Sequence, residues 1–323
     1  MKRLVFVLLL LSALDLTGLA PGLSAQTYPS RTIQIINISP PGGGGDVVGR
    51  LLVDKMTRIL GKPVVTINKA GASDTLGTDA VVKSRNDGYT IGYTSSAAMV
   101  YSRITMPDKL PYDPLKDLEP LGLQVFFPIS VAVLETSPWK SLGALIDHAK
   151  QHPGELMVST SGIGSTANFD LALTQSLTGA QFNHIPFKGG ETVTTALLGG
   201  HVEVTYDAFG KHIPHIATGK MRPLLISKKM PAYPNIPTVA ELGYKQTLLS
   251  GWFALFAPVG IPAEAKRILI STIEKAVKDP ESKNKIEDLG YIADYKSPDE
   301  IRRLMVEDYE TANALAARMG LKR

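Results

Sequence analysis

An α/β fold of two lobes is what this sequence predicts, on three observations. Apolar strand-like runs alternate with helix-like runs along nearly the whole chain. Three glycine-rich turns each follow a strand-like run and open a helix-like one: Pro40-Pro41-Gly42-Gly43-Gly44-Gly45-Asp46, Ser161-Gly162-Ile163-Gly164-Ser165-Thr166 and Phe187-Lys188-Gly189-Gly190-Glu191. The 323 residues are enough for a large core in two lobes, and the apolar run Leu121 to Leu134 reads as one long bent strand able to cross between them.

The elements follow in order. Met1-Lys2-Arg3 is a positive start and Leu4 to Leu14 a short apolar stretch, the pattern of an export signal with cleavage after Ala25. Asp15 interrupts the tail of that stretch and Leu23 is large for its position before the bond, so the fit is imperfect. The alternative is an uncleaved anchor, but the stretch falls short of the ~20 residues a span needs. Thr32 to Ile38 is a strand. Asp46 to Leu60 is a helix with Val47, Leu51, Leu52, Met56, Ile59 and Leu60 near one face, stopped by Gly61. Val64 to Asn68 is a strand, Leu76 to Ser84 a helix, and Tyr89 to Tyr93 a strand ending at Thr94-Ser95-Ser96. Tyr101 to Glu119, rich in Pro, Asp and Lys, reads as an irregular loop.

Beyond the long strand, Ser141 caps a helix from Leu142 to Gln151 that ends before Pro153-Gly154. Leu156 to Ser161 with Thr166 to Leu177, then Phe182 to Phe187 with Glu191 to Leu198, are two strand–turn–helix units. Val202 to Tyr206 is a strand with Asp207 at its end, and Leu224 to Ser227 another. Pro231 to Pro237 connects to a strand from Trp252 to Ala257 that returns to the first lobe. Helices over Pro262 to Lys278, Asp279 to Leu289 and Pro298 to Met319 close the chain.

Composition narrows the function. There are 0 Cys, which excludes disulfides, Cys-ligated metal and acylation on cysteine. The net charge is +4, but the basic residues are scattered apart from Lys228-Lys229 and Arg302-Arg303, without the aromatic-laced stripe of a nucleic-acid binder. Gly162-Ile163-Gly164-Ser165-Thr166-Ala167 fits the dinucleotide fingerprint, yet Phe182 to Phe187 leads into Lys188 where an acidic residue is required. Gly42 to Gly45 lacks the Gly-Lys-Ser/Thr ending of a phosphate loop, and no G-x-S-x-G elbow exists. His212 and His215 stand one helical turn apart without an evident third ligand. No cofactor and no metal are expected.

The remaining reading is binding without chemistry. A helix start offers unpaired N–H groups and the positive end of a dipole, and glycine lets a ligand approach the backbone. A carboxylate leaving water must regain several hydrogen bonds. Two opposed glycine turns, with hydroxyls of Ser161, Ser165, Thr166, Ser95 and Ser96, supply them as charge-assisted bonds. The competing readings are plain turn geometry for the glycines and a strand-end turn for Ser95 and Ser96.

Taken together, Tyr28-Pro29-Ser30-Arg31-Thr32-Ile33, Pro41-Gly42-Gly43-x-x-Asp46 with Arg50, Asn68-x-x-Gly71-Ala72, Asp87-Gly88-Tyr89-Thr90, Pro153-Gly154, Ser161-Gly162-x-Gly164-Ser165, His184-Ile185-Pro186-Phe187-Lys188-Gly189, Pro237-Thr238-Val239-Ala240-Glu241 and Ala257-Pro258 resemble the Bug-type solute-binding proteins. These are periplasmic receptors of tripartite tricarboxylate transporters, and the likeness runs through nearly the whole mature chain. The resemblance implies a type II periplasmic binding fold whose lobes, 26–130 with 250–323 and 131–249, close on a small carboxylate, amino acid or aromatic acid. It implies ligand loops at Pro41 to Asp46, Thr94 to Ala97, Ser161 to Asn168, Phe187 to Gly189 and Asp207 to Phe209, a monomeric receptor, and a membrane transporter as partner.

Within those loops Gly42, Gly43, Gly164, Ser165 and Thr166 are expected at the charged end of the ligand, with Pro41 and Asp46 as further ligand-loop residues and Ser161 and Asn168 shaping that pocket. Lys188 and Gly189 flank it, with a solvated lysine as the competing reading for Lys188. Asp207, Ala208 and Phe209 are expected at the distal end, where the Asp favours an amine or hydroxyl and the Phe an aromatic ring; the competing readings are a loop cap for the Asp and core packing for the Phe. The chain departs from the family at Ser39, where an aromatic is usual, at Ala70 for Pro, at Ser73-Asp74-Thr75 for a more glycine-rich stretch, and at Asn168-Phe169 for His-Leu. These changes touch the cleft and bear on ligand identity. Two other readings remain: an exported hydrolase using Ser165 or Asp207, and a binding protein that feeds a membrane sensor.

Overall fold

The computed structural model describes residues 27–187 and 191–318. The proposed export signal with its cleavage site, Lys188 and Gly189 lie outside the described residues. In chain order the elements are β1 (Ile33–Asn37), α1 (Gly44–Leu60), β2 (Val64–Asn68), α2 (Thr75–Val82), β3 (Thr90–Ser95), a π-helical turn (Ala97–Tyr101) running into α3 (Ser102–Thr105), and β4 (Leu118–Leu134). Then come α4 (Leu142–Gln151), β5 (Met157–Thr160), α5 (Thr166–Thr178), β6 (Asn183–Pro186), α6 (Glu191–Leu198), β7 (Val204–Ala208), α7 (Phe209–Ala217) and β8 (Met221–Ile226). The chain closes with β9 (Ser250–Pro258), α8 (Ala263–Lys278), α9 (Pro280–Asp288), β10 (Ile292–Lys296) and α10 (Pro298–Arg318).

The strands form one curled sheet in the order β2-β1-β3-β9-β4-β7-β5-β6, with β8 and β10 also on β4. In one half, β1 pairs in parallel with β2 and β3, and β3 runs antiparallel to β9. In the other, β5 pairs in parallel with β6 and β7. The 17-residue β4 joins them. It pairs with β9 as far as Pro128 opposite Ser250, and with β7 from Ile129 opposite Ala208. A strand buried on both sides reads as a near-continuous apolar run, which is why β4 stands out in the sequence.

α1 lays Val48, Leu52 and Met56 on Ile33, Ile35 and Tyr93, and α8 adds Leu269 and Ile273 to the same core. The second large core joins Val131, Val158 and Tyr206 to Phe169 of α5 and to Met305 and Leu315 of α10. Two local expectations need correction. Tyr101 to Glu119 is not wholly irregular: a helical stretch from Ala97 to Thr105 is held by Tyr101 and Ile104, both inside the core. The chain also makes α7 and β10, which the sequence reading left unassigned. Pro214 lies within α7, and burial of Phe209 and His212 outweighs the broken helical bond. β10 shows no clean alternation, all five residues being half-buried, and is held by pairing with β4.

Candidate ligand-binding cleft

Parallel strands end where their helices begin, so the carboxyl edge of each half-sheet gathers loops and helix N-termini. β1 ends in the first glycine turn. Gly42 takes φ +76°, and Gly43 N–H donates to Pro40 O at 3.0 Å. Asp46, 2% exposed, reaches back to close the turn. Its Oδ2 accepts Gly42 N–H at 3.0 Å and Arg50 Nε at 2.9 Å, and its Oδ1 accepts Asn68 Nδ2 at 2.8 Å. Burial opposes its charge, but the bonds from Arg50, Asn68 and Gly42 outweigh that and hold the carboxyl below its ordinary range. Asp46, expected among the ligand contacts, therefore spends its acceptors on the turn.

That arrangement moves the available donors along the chain. The N–H groups of Gly42 and Gly43 are occupied, whereas those of Gly44 and Gly45, the first two of α1, have no partner among the described residues. Gly43 at the N-cap has no side chain to cover them. A Cβ on Gly44 would run into the Tyr291 hydroxyl, and one on Gly45 into Ser39 and the Phe253 ring. Glycine is thus required there by close approach as well as by turn geometry. Pro41 is exposed at the tip of the turn.

The second turn repeats the design. Gly162 and Gly164 take φ +121° and +79°. Ser165 N-caps α5: its Oγ donates to Gly162 O at 2.8 Å and accepts Asn168 N–H at 3.2 Å. Asn168 Oδ1 accepts Gly164 N–H at 3.1 Å. The N–H groups of Thr166 and Ala167 are left without partners among the described residues, as is the Ser161 hydroxyl. A Cβ on Gly164 would lie 2.7 Å from Thr105 Cγ2, so this turn closes against α3.

The rest of the expected set divides. Ser95 and Ser96 are buried at the end of β3, where Ser95 Oγ donates to Asp74 Oδ2 at 2.7 Å and Ser96 Oγ accepts Trp252 N–H at 3.4 Å. Asp207 ends β7, accepting Ala208 N–H at 2.8 Å and pairing with Lys211 at 3.3 Å. Phe209 is a correction: it is 0% exposed, and its ring packs edge-on against Tyr233, 4.8 Å between centroids, in a core with Ile226, Met230 and Ile236. It is packing, not a stacking platform for a ligand.

Tyr291, missed in the sequence, sits at the junction of the two halves. Its hydroxyl lies against Gly44, and burial together with the Asp207 carboxylate raises its phenol well above the usual range. It ends an aromatic row beneath the start of α1: Tyr93 to Phe253 at 5.3 Å, Phe253 to Phe127 at 4.8 Å, Phe127 to Tyr291 at 6.5 Å. Just before it, Gly290 lies so near Gly210 of α7 that a Cβ would come within 2.7 Å of Gly210 Cα. No sequence signal brings residues near 291 to a turn near 44.

The site offers hydrogen-bond donors. Ser165 Oγ gives its proton to a carbonyl, not to a base. His212 is buried with Nδ1 against Ser130 Oγ at 2.7 Å, and burial pushes its pKa down to about 3. No group of three metal-ligating side chains occurs among the described residues. No helix among them is long and apolar enough to cross a membrane.

Residues 48–321 match the tripartite tricarboxylate transporter family receptor, TctC. The chain belongs to that family. Protein BugT of Bordetella pertussis is 36% identical to this TctC receptor over 310 residues, 94% of each chain. The R. palustris protein Rpa4515, solved with adipate, superposes with a TM-score of 0.83 at 26% identity, covering 91% of this chain and 98% of that one. MatC from Rhodopseudomonas palustris, solved with bound malate, gives 0.76 at 25% identity over 89% and 99%. The fold is accordingly α/β and two-lobed, of the type II periplasmic binding class that solved periplasmic binding proteins share. The likeness to Bug-type receptors read from the sequence holds.

Proposed function

We propose that this TctC-family protein is an exported receptor that captures a small carboxylate between its lobes and delivers it to a tripartite tricarboxylate-type membrane transporter. Lobe 1 comprises residues 26–130 with 250–323 and lobe 2 residues 131–249, a division supported by the change of partner along β4 at Pro128–Ile129. The chain works as a periplasmic monomer after cleavage following Ala25. It releases its ligand unchanged.

The observation that carries this reading is the pair of helix starts whose first N–H groups are unpaired within the described residues. Gly44 and Gly45 N–H in one half and Thr166 and Ala167 N–H in the other have no acceptor among the described residues. Each start carries roughly half a positive charge from its dipole, a ready cradle for an anion. The Thr166 and Ser161 hydroxyls add donors, while Gly42, Gly43, Asp46, Gly164, Ser165 and Asn168 hold both turns in shape. Ser95, Ser96, Asp207 and Ala208 border the same space. The adipate and malate held by the two solved relatives are carboxylates. Closure then follows a hinge motion of β4 and β9.

A thermal-shift screen on the ligand-stripped chain from Gln26, against di- and tricarboxylates, acidic amino acids and aromatic acids, tests the proposal. Ligand at 100 times its Kd should add about 2.7 kcal/mol, with the acid recovered intact. Steady conversion of the acid would support a hydrolase instead.

A further inference from the structure

One segment at the cleft edge holds a conformation its residues disfavour. Ala72, Ser73 and Asp74 take φ of +49°, +52° and +71° in succession, and none is glycine. Glycine at 73 and 74 would adopt these angles freely. The turn is pinned from outside, by Thr75 Oγ1 donating to Ala72 O at 2.7 Å and Thr78 Oγ1 donating to Asp74 O at 3.0 Å.

Asp74 stands at the N-cap of α2 but does not cap it. Its carboxylate reaches across the carboxyl end of β1, where Gly77 packs on Ile38, to accept the Ser95 hydroxyl of β3. That is the edge from which the first glycine turn emerges. Oδ1 makes no hydrogen bond, and no cation neutralises the group among the described residues. A half-buried acid with one oxygen unbonded and no cation beside it, at the edge of a site for anions, works against a ligand that is only an anion. It suits a ligand that brings its own positive charge.

We infer that Asp74 is a specificity-determining residue that selects carboxylates bearing a protonated amine over the same carbon skeleton without one. This rests on the receptor reading above and adds the chemistry of the ligand's second group. Burial has already pushed the Asp74 carboxyl up to about 6, with the Ser95 hydroxyl opposing. At neutral pH the group is therefore largely ionised, and an ammonium within reach would favour that charged form further.

The test uses matched pairs: succinate and aspartate, glutarate and glutamate, 3-phenylpropionate and phenylalanine. Titration calorimetry on the stripped mature chain compares wild type with Asp74→Asn, in which Asn tolerates the left-handed angle and keeps an acceptor for Ser95. Wild type should favour the amine-bearing member of at least one pair tenfold or more. Asp74→Asn should erase that ratio while still binding the plain acid. Ser73→Gly, which relieves strain and leaves the carboxylate, should keep it and raise Tm. An equal or reversed preference in wild type, or a preference that survives Asp74→Asn, overturns the inference and leaves the receptor reading standing. Absence of binding for every acid in both proteins overturns the receptor reading and this inference with it.

Discussion

Ser165 separates holding the turn from holding the ligand, because its hydroxyl is committed to the turn. Its Oγ accepts Asn168 N–H and donates to Gly162 O. Ser165→Ala removes that cap, which typically costs about 1 kcal/mol, a Tm decrease of about 2 °C in a chain of this size. Affinity for a bound acid should fall by roughly tenfold at most, since the main-chain donors remain but are less well fixed. Ser165→Asp is the informative partner. Aspartate caps a helix as well as serine, so stability should return. The same change sets a negative charge beside the anion site. At about 5 Å from a ligand carboxylate the repulsion is about 1 kcal/mol in water-like surroundings and about 3 kcal/mol near a protein surface. Binding should weaken by one to two orders of magnitude, read by calorimetry, while scanning calorimetry shows wild-type Tm. Wild-type affinity in Ser165→Asp would refute an anion at the start of α5. Unchanged stability in Ser165→Ala would refute the cap.

Three further outcomes follow from the packing and the charges. Asp46→Leu leaves Asn68, Arg50 and Gly42 N–H without their acceptor, and should lower the urea midpoint by about 2–3 kcal/mol in stability. Because the folded Asp46 carboxyl is held below its ordinary range, its contribution is present at neutral pH and lost as pH falls through that depressed value, so the gap between wild type and Asp46→Leu should narrow in acid. Asp308, which accepts Trp252 Nε1 at 2.9 Å, is pushed by burial up to about 6. Its contribution has the opposite sign: present in acid and lost as pH rises from about 4 through about 6, a change of about 3 kcal/mol. Asp308→Asn, which keeps an acceptor for the indole, should therefore gain stability over wild type at pH 7.5 and little at pH 4 in urea titrations. Phe209→Ala, at a fully buried ring, should cost about 3–5 kcal/mol, and binding measured well below its melting temperature should stay within a few-fold of wild type.

How much the sequence disclosed depends on the range of each interaction. The cap at Ser141 and the stop at Gly61 are local, and the structure bears them out, with Ser141 Oγ accepting Ala144 N–H at 3.2 Å and Gly61 at φ +62°. The crossing strand was legible because burial on both faces leaves an unbroken apolar run. The glycine turns were legible as turns, but not the identity of their free donors. Only the back-bonds from Asp46 and Asn168 show that Gly42 and Gly164 are occupied and that Gly44, Gly45, Thr166 and Ala167 are not. Phe209 was misread because an aromatic after a strand end looks alike whether it faces a cleft or a core. Tyr291 and Thr105 reach the cleft through tertiary packing that no local pattern encodes. Asp74 was visible as a departure from a glycine-rich stretch, and its backbone angles give that departure meaning.

The most direct test of the central claim is amide NMR on the 15N-labelled, ligand-stripped mature chain titrated with an acid that binds in the thermal screen. A carboxylate seated between the two helix starts should move the amide protons of Gly44, Gly45, Thr166 and Ala167 downfield, more than those of Gly42 and Gly164, whose N–H groups are already bonded. Saturating ligand that leaves those four amides unmoved would contradict the account.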